Sequence, residues 1–465
     1  MTEAVAAVDL GATSGRVMLG YVGRGELRLV PVARFSNGPV TRSDGLHWDI
    51  DALWRDVRAG LRAAARLEPG LRSIGVDTWA VDYGLIASSG LLAAPFHYRD
   101  DRSLAGVESV HAIVSPTDLY ALNGLQELHF NTLFQLAVDA GVPEAETMLL
   151  VPDLIDFWLT GRRVAERTNA STTGLLDVRN GEWNTVLIER LGLPLRLFPK
   201  LVNAGSSLGT LLPAIADEVG LGPSTVVTAV GSHDTASAVL AVPATGDDFA
   251  YISCGTWGLV GVELEQPVLT EQARAANFTN EGGVDGRVRF LHNVMGLWLI
   301  SESLRDWGTD DLAELLKQAA AVVREVAVFD ADDPSFLAPG DMPARIAAHC
   351  AAHDLPVPHS RAEFVRSILE SLAATFARTV RVASELSGKA VDAIHIVGGG
   401  SQNVLLCQLT ADASGLPVFA GPTEATAIGN VLVQARAVGI LNGNIESMRS
   451  LVALTFPPVR YLPRH

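Results

Sequence analysis

Near its start the chain reads Val5-Ala6-Ala7-Val8-Asp9-Leu10-Gly11-Ala12-Thr13-Ser14-Gly15-Arg16. The apolar residues before Asp9 predict a strand, and a second apolar run follows from Val17 to Val22. Apolar runs on both sides of glycines are typical of two strands joined by a turn. The partly alternating segment from Glu26 to Phe35 predicts a third antiparallel strand. The chain is therefore expected to open with three strands.

The turn between the first two strands has a composition suited to phosphate. Glycine lets backbone N–H groups approach phosphate oxygens closely, and Ser and Thr hydroxyls add further donors. Asp9 at the strand end would hold Mg²⁺ through water, because Mg²⁺ prefers one or two carboxylates together with phosphate oxygens. An ordinary turn capped by Asp explains the same residues, so the segment alone leaves both interpretations open.

A helix and a further buried strand follow the three opening strands. Ile50, Leu53, Trp54, Val57 and Leu61 recur at helical spacing and predict the helix. Ser73-Ile74-Gly75-Val76-Asp77-Thr78-Trp79 predicts the strand, and Val81 to Ile86 is expected to return beside it. Asp and Trp at strand ends are candidates for the wall of a cleft.

The segment Val226 to Gly231 is another apolar run, and Ser232-His233-Asp234-Thr235 follows it. Small helix formers come next, so Ser232, Asp234 or Thr235 is expected to cap a helix at this junction. A carboxylate in a cleft accepts a hydroxyl proton while a neighbouring imidazole orients the substrate, which makes His233-Asp234 a candidate general-base pair. A capping Asp beside a structural histidine is the alternative. The serine lacks a GxSxG elbow, which disfavours a serine hydrolase.

The clearest linker signal is Pro243-Ala244-Thr245-Gly246-Asp247-Asp248, which separates two apolar segments. We place a domain boundary there, between residues 243 and 244. Just beyond it, Tyr251 to Val262 again predicts a strand, a turn of small residues and a strand, as at the N-terminus. This echo favours a duplicated domain.

The last third of the chain is also predicted to be α/β. Arg361 to Leu386 carries an apolar stripe that predicts a long core-facing helix. Ala393 to Val397 predicts a strand that runs into Gly398-Gly399-Gly400 and a helix. Bare glycine amides at such a turn suit an adenosine phosphate, although a plain strand-to-helix turn has the same sequence.

Composition narrows the class of protein. The 465 residues predict two or three domains, and 35 Lys and Arg against 52 Asp and Glu give a formal charge of −17, which disfavours a nucleic-acid partner. Apolar runs are interrupted well before about 18 residues, so no membrane span is expected. The N-terminus lacks a basic signal region, which favours the cytoplasm. The 3 scattered cysteines predict buried thiols and neither disulfides nor a zinc site. GxxxxGK[ST] and strand-linked GxGxxG fingerprints are absent.

Several blocks, taken together and in order, resemble the FGGY carbohydrate kinases of the actin, hexokinase and Hsp70 superfamily, and among them the members that phosphorylate L-rhamnulose. The resemblance covers residues 5 to about 430. The blocks that carry it are Asp9–Arg16, Gly75–Asp82, Ser232–Val239, Ser253–Trp257, Asn280–Gly283, Asn293–Trp298 and Val397–Asn403.

The resemblance implies two actin-like (ribonuclease H-like) domains, each a mixed β-sheet flanked by helices, with the active site in the interdomain cleft. Residues 1–243 would hold the sugar, the ATP phosphates and the base, and residues 244–465 would hold the nucleotide. Asp234 would be the catalytic base and would contact the sugar, as would Ala80, His233, Thr235 and Asn293. The ATP contacts would be Ala12, Thr13, Ser14, Gly15, Arg16, Thr256, Gly399 and Gly400.

The implied activity is transfer of phosphate from Mg-ATP to O1 of L-rhamnulose in rhamnose breakdown, by a cytoplasmic monomer or homodimer. Ala80 stands where the family usually has Gly, and the added methyl narrows the approach of the backbone to the sugar. A kinase for another ketose or polyol, such as L-fuculose or xylulose, is therefore kept as an alternative. An actin-like ATPase and a sugar sensor without catalysis are the remaining alternatives.

Overall fold

A computed structural model describes residues 2–23 and 25–464 of the chain. Its strands are β1 Glu3–Leu10, β2 Ser14–Gly23, β3 Glu26–Ser36, β4 Pro39–Arg42, β5 Gly45–Trp48, β6 Ser73–Thr78, β7 Tyr83–Ala87, β8 Gly90–Leu91, β9 Thr147–Leu150, β10 Val164–Glu166, β11 Leu176–Asp177, β12 Glu182–Trp183, β13 Lys200–Val202, β14 Ser207–Thr210, β15 Val226–Thr228, β16 Phe249–Cys254, β17 Trp257–Leu264, β18 Thr279–Gly282, β19 Val288–Met295, β20 Ala393–Val397, β21 Val418–Ala420 and β22 Val459–Tyr461.

Its α-helices are α1 Ile50–Leu67, α2 Ser103–His111, α3 Pro116–Asn123, α4 Thr132–Leu136, α5 Val151–Thr160, α6 Arg167–Ala170, α7 Thr185–Arg190, α8 Pro213–Val219, α9 Asp234–Leu240, α10 Glu271–Ala275, α11 Trp298–Trp307, α12 Leu312–Ala320, α13 Met342–Ala352, α14 Arg361–Ser387, α15 Val404–Ser414, α16 Ala425–Ala437 and α17 Ile445–Thr455. Short 3₁₀ turns lie at Ser171–Thr173, Leu195–Leu197, Val284–Gly286, Pro334–Phe336 and Gly399–Gln402. Among the described helices, none combines the length and apolar character needed to cross a bilayer.

The chain divides into two compact units. The first comprises Met1–Ala241, Glu263–Phe290 and Ala425–Thr455, and the second comprises Val242–Val262, Leu291–Glu424 and Phe456–His465. The predicted boundary at 243/244 lies next to the first change of unit. The two later returns of the chain to the first unit are not part of the sequence prediction, which assigns all residues after 243 to one domain.

The first sheet has the strand order β14-β15-β6-β1-β2-β3. β1, β2 and β3 are joined as antiparallel neighbours, whereas β1, β6 and β15 run parallel. The predicted hairpin of β1 and β2 and the third strand are confirmed. β1 is buried from its second residue to its end, and helices α1 and α16 both pack against it.

The second large sheet has the order β18-β19-β17-β16-β20-β21-β22. β16 and β17 form the predicted second hairpin, and β20 and β21 continue from β16 in parallel. From β19 to β22 this order repeats that of β3 to β14 in the first sheet, with an antiparallel last strand in each case. The repeat supports the predicted duplication.

Helix α16 packs on β1, β6 and α9 within the first unit. Gly429 makes this approach possible, because a Cβ atom there would collide with the backbone carbonyl of Ser237 in α9. Gly75 in β6 serves the same helix, since a Cβ atom would lie 2.7 Å from Oδ1 of Asn430. Glycine at both contacts therefore brings α16 directly against the strands that end at the candidate site.

Two local predictions are wrong. The segment after Trp79 does not return beside β6, since β7 pairs with β8 and β9 in a separate sheet. The physical reason is a sharp turn at Val81, whose φ of 68° sends the chain in another direction. The residue that caps α9 is His233, and its side chain makes no capping hydrogen bond. The cysteines are free and buried, as predicted.

Candidate active site

Acidic residues follow one another along one edge of the first sheet. Asp9 and Asp77 are directly paired in the register of β1 and β6. Thr78 forms a parallel bridge with His233, which places Asp234 after the end of the next strand in the row. Carboxyl ends of neighbouring parallel strands are where open α/β sheets bind ligands. The predicted residues Asp9 and Asp234 therefore lie at the same edge, together with Asp77.

Asp9 forms an ion pair with Arg16 across the opening hairpin, with 2.8 Å between Nε and Oδ2. The Asp9 side chain is 4% exposed and the Arg16 side chain is 29% exposed. The register of β1 and β2 sets this contact, because it places the two residues opposite each other. Arg16, the last residue of the predicted phosphate turn, is thereby paired with the Asp9 carboxylate.

Asp77 is the most constrained of the three carboxylates. Burial raises its pKa well above the usual value, the nearby charges of Asp9 and Asp234 raise it further, and the hydrogen bond from Asn430 opposes them. In the described part of the chain, Oδ1 of Asp77 is a buried oxygen without a hydrogen-bond partner. Three mutually repelling carboxylates with an unsatisfied oxygen favour a bound cation.

These donors fit Mg²⁺. The ion takes oxygen ligands and is usually held by one or two carboxylates, with water and substrate phosphates completing its octahedron. Asp9 and Asp77 supply two carboxylates at adjacent strand ends. The described residues contain no group of three or more His, Cys, Asp or Glu side chains placed to bind a metal by themselves.

The opening turn is held by backbone and by Asn37. The Gly11 N–H donates to the Ser14 carbonyl at 2.9 Å, and the Asn37 amide donates to the Gly11 carbonyl at 2.8 Å. Thr13 at the tip is exposed. Gly15 is buried, and a Cβ atom there would collide with the ring of Phe35. The predicted phosphate residues 12–16 thus lie at the end of a hairpin that is held by hydrogen bonds. Glycine is required at position 15 because the ring of Phe35 packs there.

Asp234 begins α9 and keeps 30% of its side chain exposed. The Thr235 hydroxyl donates to Asp234 Oδ1 at 3.0 Å, and His233 Nε2 lies 3.5 Å from the same oxygen. Oδ2 receives no hydrogen bond from the described residues. One carboxylate oxygen is therefore oriented by its neighbours while the other is available to a substrate hydroxyl.

His233 is buried against Arg289 and Glu281, neither of which the sequence analysis gave a role. Arg289 Nη2 lies 2.9 Å from His233 Nδ1, and Glu281 Oε2 lies 3.4 Å from that nitrogen. The Arg289 and Glu281 side chains are 3.0 Å apart. An ion pair thus lies behind the imidazole, on the side opposite Asp234.

Glu166 holds the segment that carries His233 and Asp234. Its Oε2 accepts hydrogen bonds from the backbone N–H of Ser232 at 3.0 Å and from the Ser232 hydroxyl at 2.8 Å. The same oxygen accepts from the N–H and hydroxyl of Thr168 and from the N–H of Asn169 at the start of α6. This carboxylate joins α6 to the residues before α9.

Ala80 begins a tight turn in which the Asp82 N–H donates to the Ala80 carbonyl at 2.9 Å. This is a γ-turn centred on Val81, and its positive φ is a strained conformation for a β-branched residue. The Thr132 hydroxyl donates to the Val81 carbonyl at 2.7 Å. External contacts therefore hold the predicted sugar-contacting turn in place.

Asp82 supplies more of these contacts. Its Oδ2 accepts from the Trp48 indole at 2.6 Å, the Trp79 indole at 3.0 Å and the Tyr98 N–H at 3.2 Å. Its Oδ1 accepts from the Gln135 amide at 3.0 Å. Burial raises the pKa of Asp82 to about 6, although all these hydrogen bonds lower it.

The remaining predicted residues lie in the second unit. Thr256 occupies the turn after β16, and its carbonyl accepts from the N–H groups of Gly296 and Trp298 at 3.2 Å. Gly399 and Gly400 follow β20, which is paired with β16. A Cβ atom at Gly400 would collide with the Cys254 side chain. Thr256 and the two glycines are thus brought together at neighbouring strand ends.

Asn293 lies in β19, in the part of that strand that belongs to the second unit. Sequence reasoning missed Glu166 and Arg289, gave Asp77 only as a candidate for the wall of a cleft, and quoted Glu281 without a role. Asp77 had a usable signal, because Val76-Asp77 repeats the apolar-to-acid step of Val8-Asp9. Glu166 and Arg289 had none, because they act through contacts with residues far along the chain.

Family models match both halves of the chain. The N-terminal domain of the FGGY family of carbohydrate kinases matches residues 4–241, and the C-terminal domain of that family matches residues 250–438.

Curated relatives match over nearly the full length. A rhamnulokinase of Bacteroides thetaiotaomicron is 40% identical, with 98% of this chain and 95% of the relative covered. A rhamnulokinase of Pectobacterium carotovorum is 40% identical, with 99% and 93% covered. A rhamnulokinase of Enterococcus faecalis is 39% identical, with 98% and 93% covered.

Solved structures share the fold at low sequence identity. A gluconate kinase of Lactobacillus acidophilus has a TM-score of 0.80 at 16% identity, with 100% of this chain and 94% of that chain covered. A xylulose kinase of Rhodospirillum rubrum has a TM-score of 0.79 at 20% identity, with 99% and 94% covered. The predicted fold class is confirmed. By its two family-model matches and its full-length relatives, the chain belongs to the FGGY family of carbohydrate kinases.

Proposed function

We propose that this carbohydrate kinase transfers the γ-phosphate of ATP to O1 of L-rhamnulose, giving L-rhamnulose 1-phosphate and ADP in rhamnose breakdown. The observation that carries the proposal is the match of about 40% identity to rhamnulokinases over nearly the whole of both chains. The site supports it, since a partly exposed carboxylate with one unengaged oxygen suits removal of a hydroxyl proton.

Asp234 is the proposed catalytic base. Its Oδ2 takes the proton of the C1 hydroxyl of the sugar while the oxygen of that hydroxyl attacks the γ-phosphorus of ATP. The bond between the γ-phosphorus and the bridging oxygen breaks, and ADP leaves. Phosphoryl transfer depends mainly on in-line positioning and charge neutralisation, so one base and oriented substrates suffice. Ala80, His233, Thr235 and Asn293 are proposed to contact the sugar.

The nucleotide contacts remain proposals of the same kind. Ala12, Thr13, Ser14, Gly15 and Arg16 would contact the phosphates from the opening hairpin, and Thr256, Gly399 and Gly400 would contact the nucleotide from the second unit. Asp9 and Asp77 would hold Mg²⁺, which when bound neutralises charge on the phosphates. The proposed domains, 1–243 and 244–465, divide these roles between sugar with phosphates and nucleotide. We also propose a cytoplasmic monomer or homodimer.

A different ketose or polyol substrate, such as L-fuculose or xylulose, is the second candidate. The observation that favours it is Ala80, because its methyl group and the rigid turn around Val81 change the surface that a sugar would meet.

A coupled assay of ADP release tests the proposal with Mg-ATP and L-rhamnulose, L-fuculose, D-xylulose, L-xylulose or glycerol, and with no sugar. We expect strong selectivity for L-rhamnulose. Asp234→Asn should lower kcat by about 100-fold or more, the range of general-base contributions, while ATP still binds. The exposed Asp217→Asn in α8 is the matched control and should retain wild-type turnover.

Other outcomes separate the alternatives. Selectivity for another ketose would change the assigned substrate and would leave Asp234 as the proposed base. ATP turnover that ignores every sugar would replace the kinase with an ATPase. Near wild-type kcat in Asp234→Asn would remove this residue from the catalytic role.

A further inference from the structure

The imidazole of His233 lies between Asp234 and a buried ion pair. Arg289 is fully buried, and its Nη2 lies 2.9 Å from His233 Nδ1. Its Nε donates to the Gly282 carbonyl at 2.9 Å, which fixes the plane of the guanidinium group. Nη2 also lies 3.0 Å from Glu281 Oε2.

The chemistry of arginine determines which histidine nitrogen carries the proton. A guanidinium group has only N–H donors and stays protonated in proteins, so its partner must offer a lone pair. His233 Nδ1 is therefore the unprotonated nitrogen, and the neutral ring carries its proton on Nε2. A proton on Nδ1 would set two donors against each other at 2.9 Å.

Glu281 is the competing partner for Nδ1, because its Oε2 lies 3.4 Å away. That distance is longer than the 2.9 Å to Arg289, and the arginine is the shared neighbour of both groups. Burial raises the pKa of Glu281, but the charge of Arg289, together with the contacts to His233 and Arg289, outweighs burial and holds the pKa below the usual value. Glu281 thus remains a carboxylate that balances the buried arginine.

We propose that Arg289 is a positioning residue that holds His233 as the Nε2–H tautomer, so that this N–H is directed toward Asp234 Oδ1. The Thr235 hydroxyl donates to the same oxygen at 3.0 Å. Together the two donors keep Oδ1 engaged and leave Oδ2 to accept the proton of the sugar hydroxyl. This inference rests on the proposed function for the part that concerns catalysis.

The opposite tautomer would have a clear cost. A bare Nε2 lone pair would then lie 3.5 Å from a carboxylate oxygen, and the repulsion would turn Asp234 away. The orientation of the base thus depends on a residue that is 55 positions away from it and does not touch it.

Nitrogen NMR of the intact wild-type protein, with ¹⁵N-labelled histidine, tests the tautomer directly. The His233→Gln variant assigns the ring by the loss of its signals. At mildly alkaline pH we expect Nδ1 to show the shift of an unprotonated nitrogen and Nε2 that of a protonated one. The reverse pattern, or rapid exchange between the two, overturns the proposal.

Kinetics of Arg289→Met and Arg289→Lys test the catalytic part. The methionine variant should lower kcat by about 10- to 100-fold, as expected for loss of an orienting partner, with the KM for ATP unchanged. The lysine variant keeps a donor-only cation and should recover part of the loss. Arg287→Met is the matched control, because that arginine pairs with Glu265 and Glu446 at the surface.

The outcomes remain distinguishable. A higher sugar KM with unchanged kcat would limit His233 to sugar binding and overturn the positioning role. If Arg289→Met does not fold, the lysine variant and the wild-type spectrum decide. If no sugar is phosphorylated by the wild type, the proposed function fails, whereas the spectrum still decides the tautomer.

Discussion

Asp82 shows how much a single side chain contributes to this site. Its two oxygens accept hydrogen bonds from the indoles of Trp48 and Trp79, from the Gln135 amide and from the backbone N–H of Tyr98. These hydrogen bonds hold the turn that begins at Ala80. Gln135 is itself oriented, because Arg102 donates to its Oε1. The turn is therefore fixed by a buried acid whose charged form is costly.

The stability of the protein should depend on pH through Asp82. Burial raises its pKa in the folded state to about 6, from 3.8 in the unfolded chain. Protonated Asp82 therefore stabilises the folded state. This contribution is complete below pH 3.8, the pKa in the unfolded chain, and is lost as the pH rises through about 6, the pKa in the folded state. Relative to Asp82→Asn, the wild type should therefore gain about 2 kcal/mol of unfolding free energy between pH 7 and pH 4.

Denaturant unfolding of both proteins across this range measures the difference. Because every other titrating group is common to the pair, subtraction isolates position 82. Parallel pH profiles for the wild type and Asp82→Asn would contradict the prediction.

Sequence alone identified single residues only where their signal is local. Asp9 and Asp234 follow apolar strands, and the structure brings both to one sheet edge. Arg289 lies 56 positions from His233, and nothing near either residue in the sequence indicates the contact. The roles assigned to Ala80, Asn293 and the phosphate turn stay predictions.

At the scale of elements, the joint between β10, α6 and α9 is made by Glu166. Two more buried acids, Asp153 and Asp156, lie close to it, and burial raises the pKa of both, as does their mutual repulsion with Glu166. In the described residues, Glu166 Oε1 and one oxygen of each aspartate lack hydrogen-bond partners. One oxygen of Glu166 thus organises the joint while the other faces like charges.

Glu166→Ala and Glu166→Gln should therefore differ widely. Alanine leaves the N–H groups of Ser232 and Thr168 without their acceptor, and we expect a loss of about 3–5 kcal/mol of unfolding free energy. Glutamine keeps the accepting oxygen and places an amide beside the unpartnered aspartate oxygens, so its change should be within about 1 kcal/mol.

Urea unfolding checks both values, and kcat of the glutamine variant shows whether the segment before Asp234 is still in place. Equal losses in the two variants would mean that the carboxylate charge, and not its hydrogen bonds, holds the joint.

Elements with a regular pattern were predictable, and redirected ones were not. The long helix α14, both hairpins and the strand before the three glycines follow from periodicity and turn residues. The path after Trp79 does not, because a non-glycine residue with positive φ carries no sequence signal. The strain at Val81 is stabilised by Thr132, 51 positions away.

At the scale of the whole molecule, the first unit contains helices from the end of the chain. Asn430 in α16 donates to the Gly75 carbonyl and to Asp77, and Gln434 donates to the Ala6 carbonyl. Linker composition marks where the chain leaves a unit. It gives no sign of a later return, which depends on contacts between residues more than 350 positions apart.

A fragment of residues 1–243 should consequently fail to fold cooperatively by itself. It lacks α16, so the buried face of β1 and β6 would be exposed together with the carbonyls that this helix satisfies. Circular dichroism should show no sharp thermal transition, and limited proteolysis should be rapid. Adding a peptide of residues 425–455 should restore the transition.

A cooperative transition in the fragment alone would show that residues 1–243 are an autonomous domain, as the sequence division proposes. Failure of the peptide to restore folding would instead indicate that residues 263–290, the other returning segment, are also required.

The repeated strand order has a consequence for stoichiometry. Asp9 and Asp77 are paired one residue before the end of β1, and the equivalent pair one residue before the end of β16 is Ser253 and Val397. The two sheets therefore share a strand order but differ in charge at this position, since the first sheet has two aspartates there and the second has none. Of these two equivalent strand ends, the one in the first sheet is acidic and the one in the second sheet is neutral, so the neutral end would not repel a polyanion.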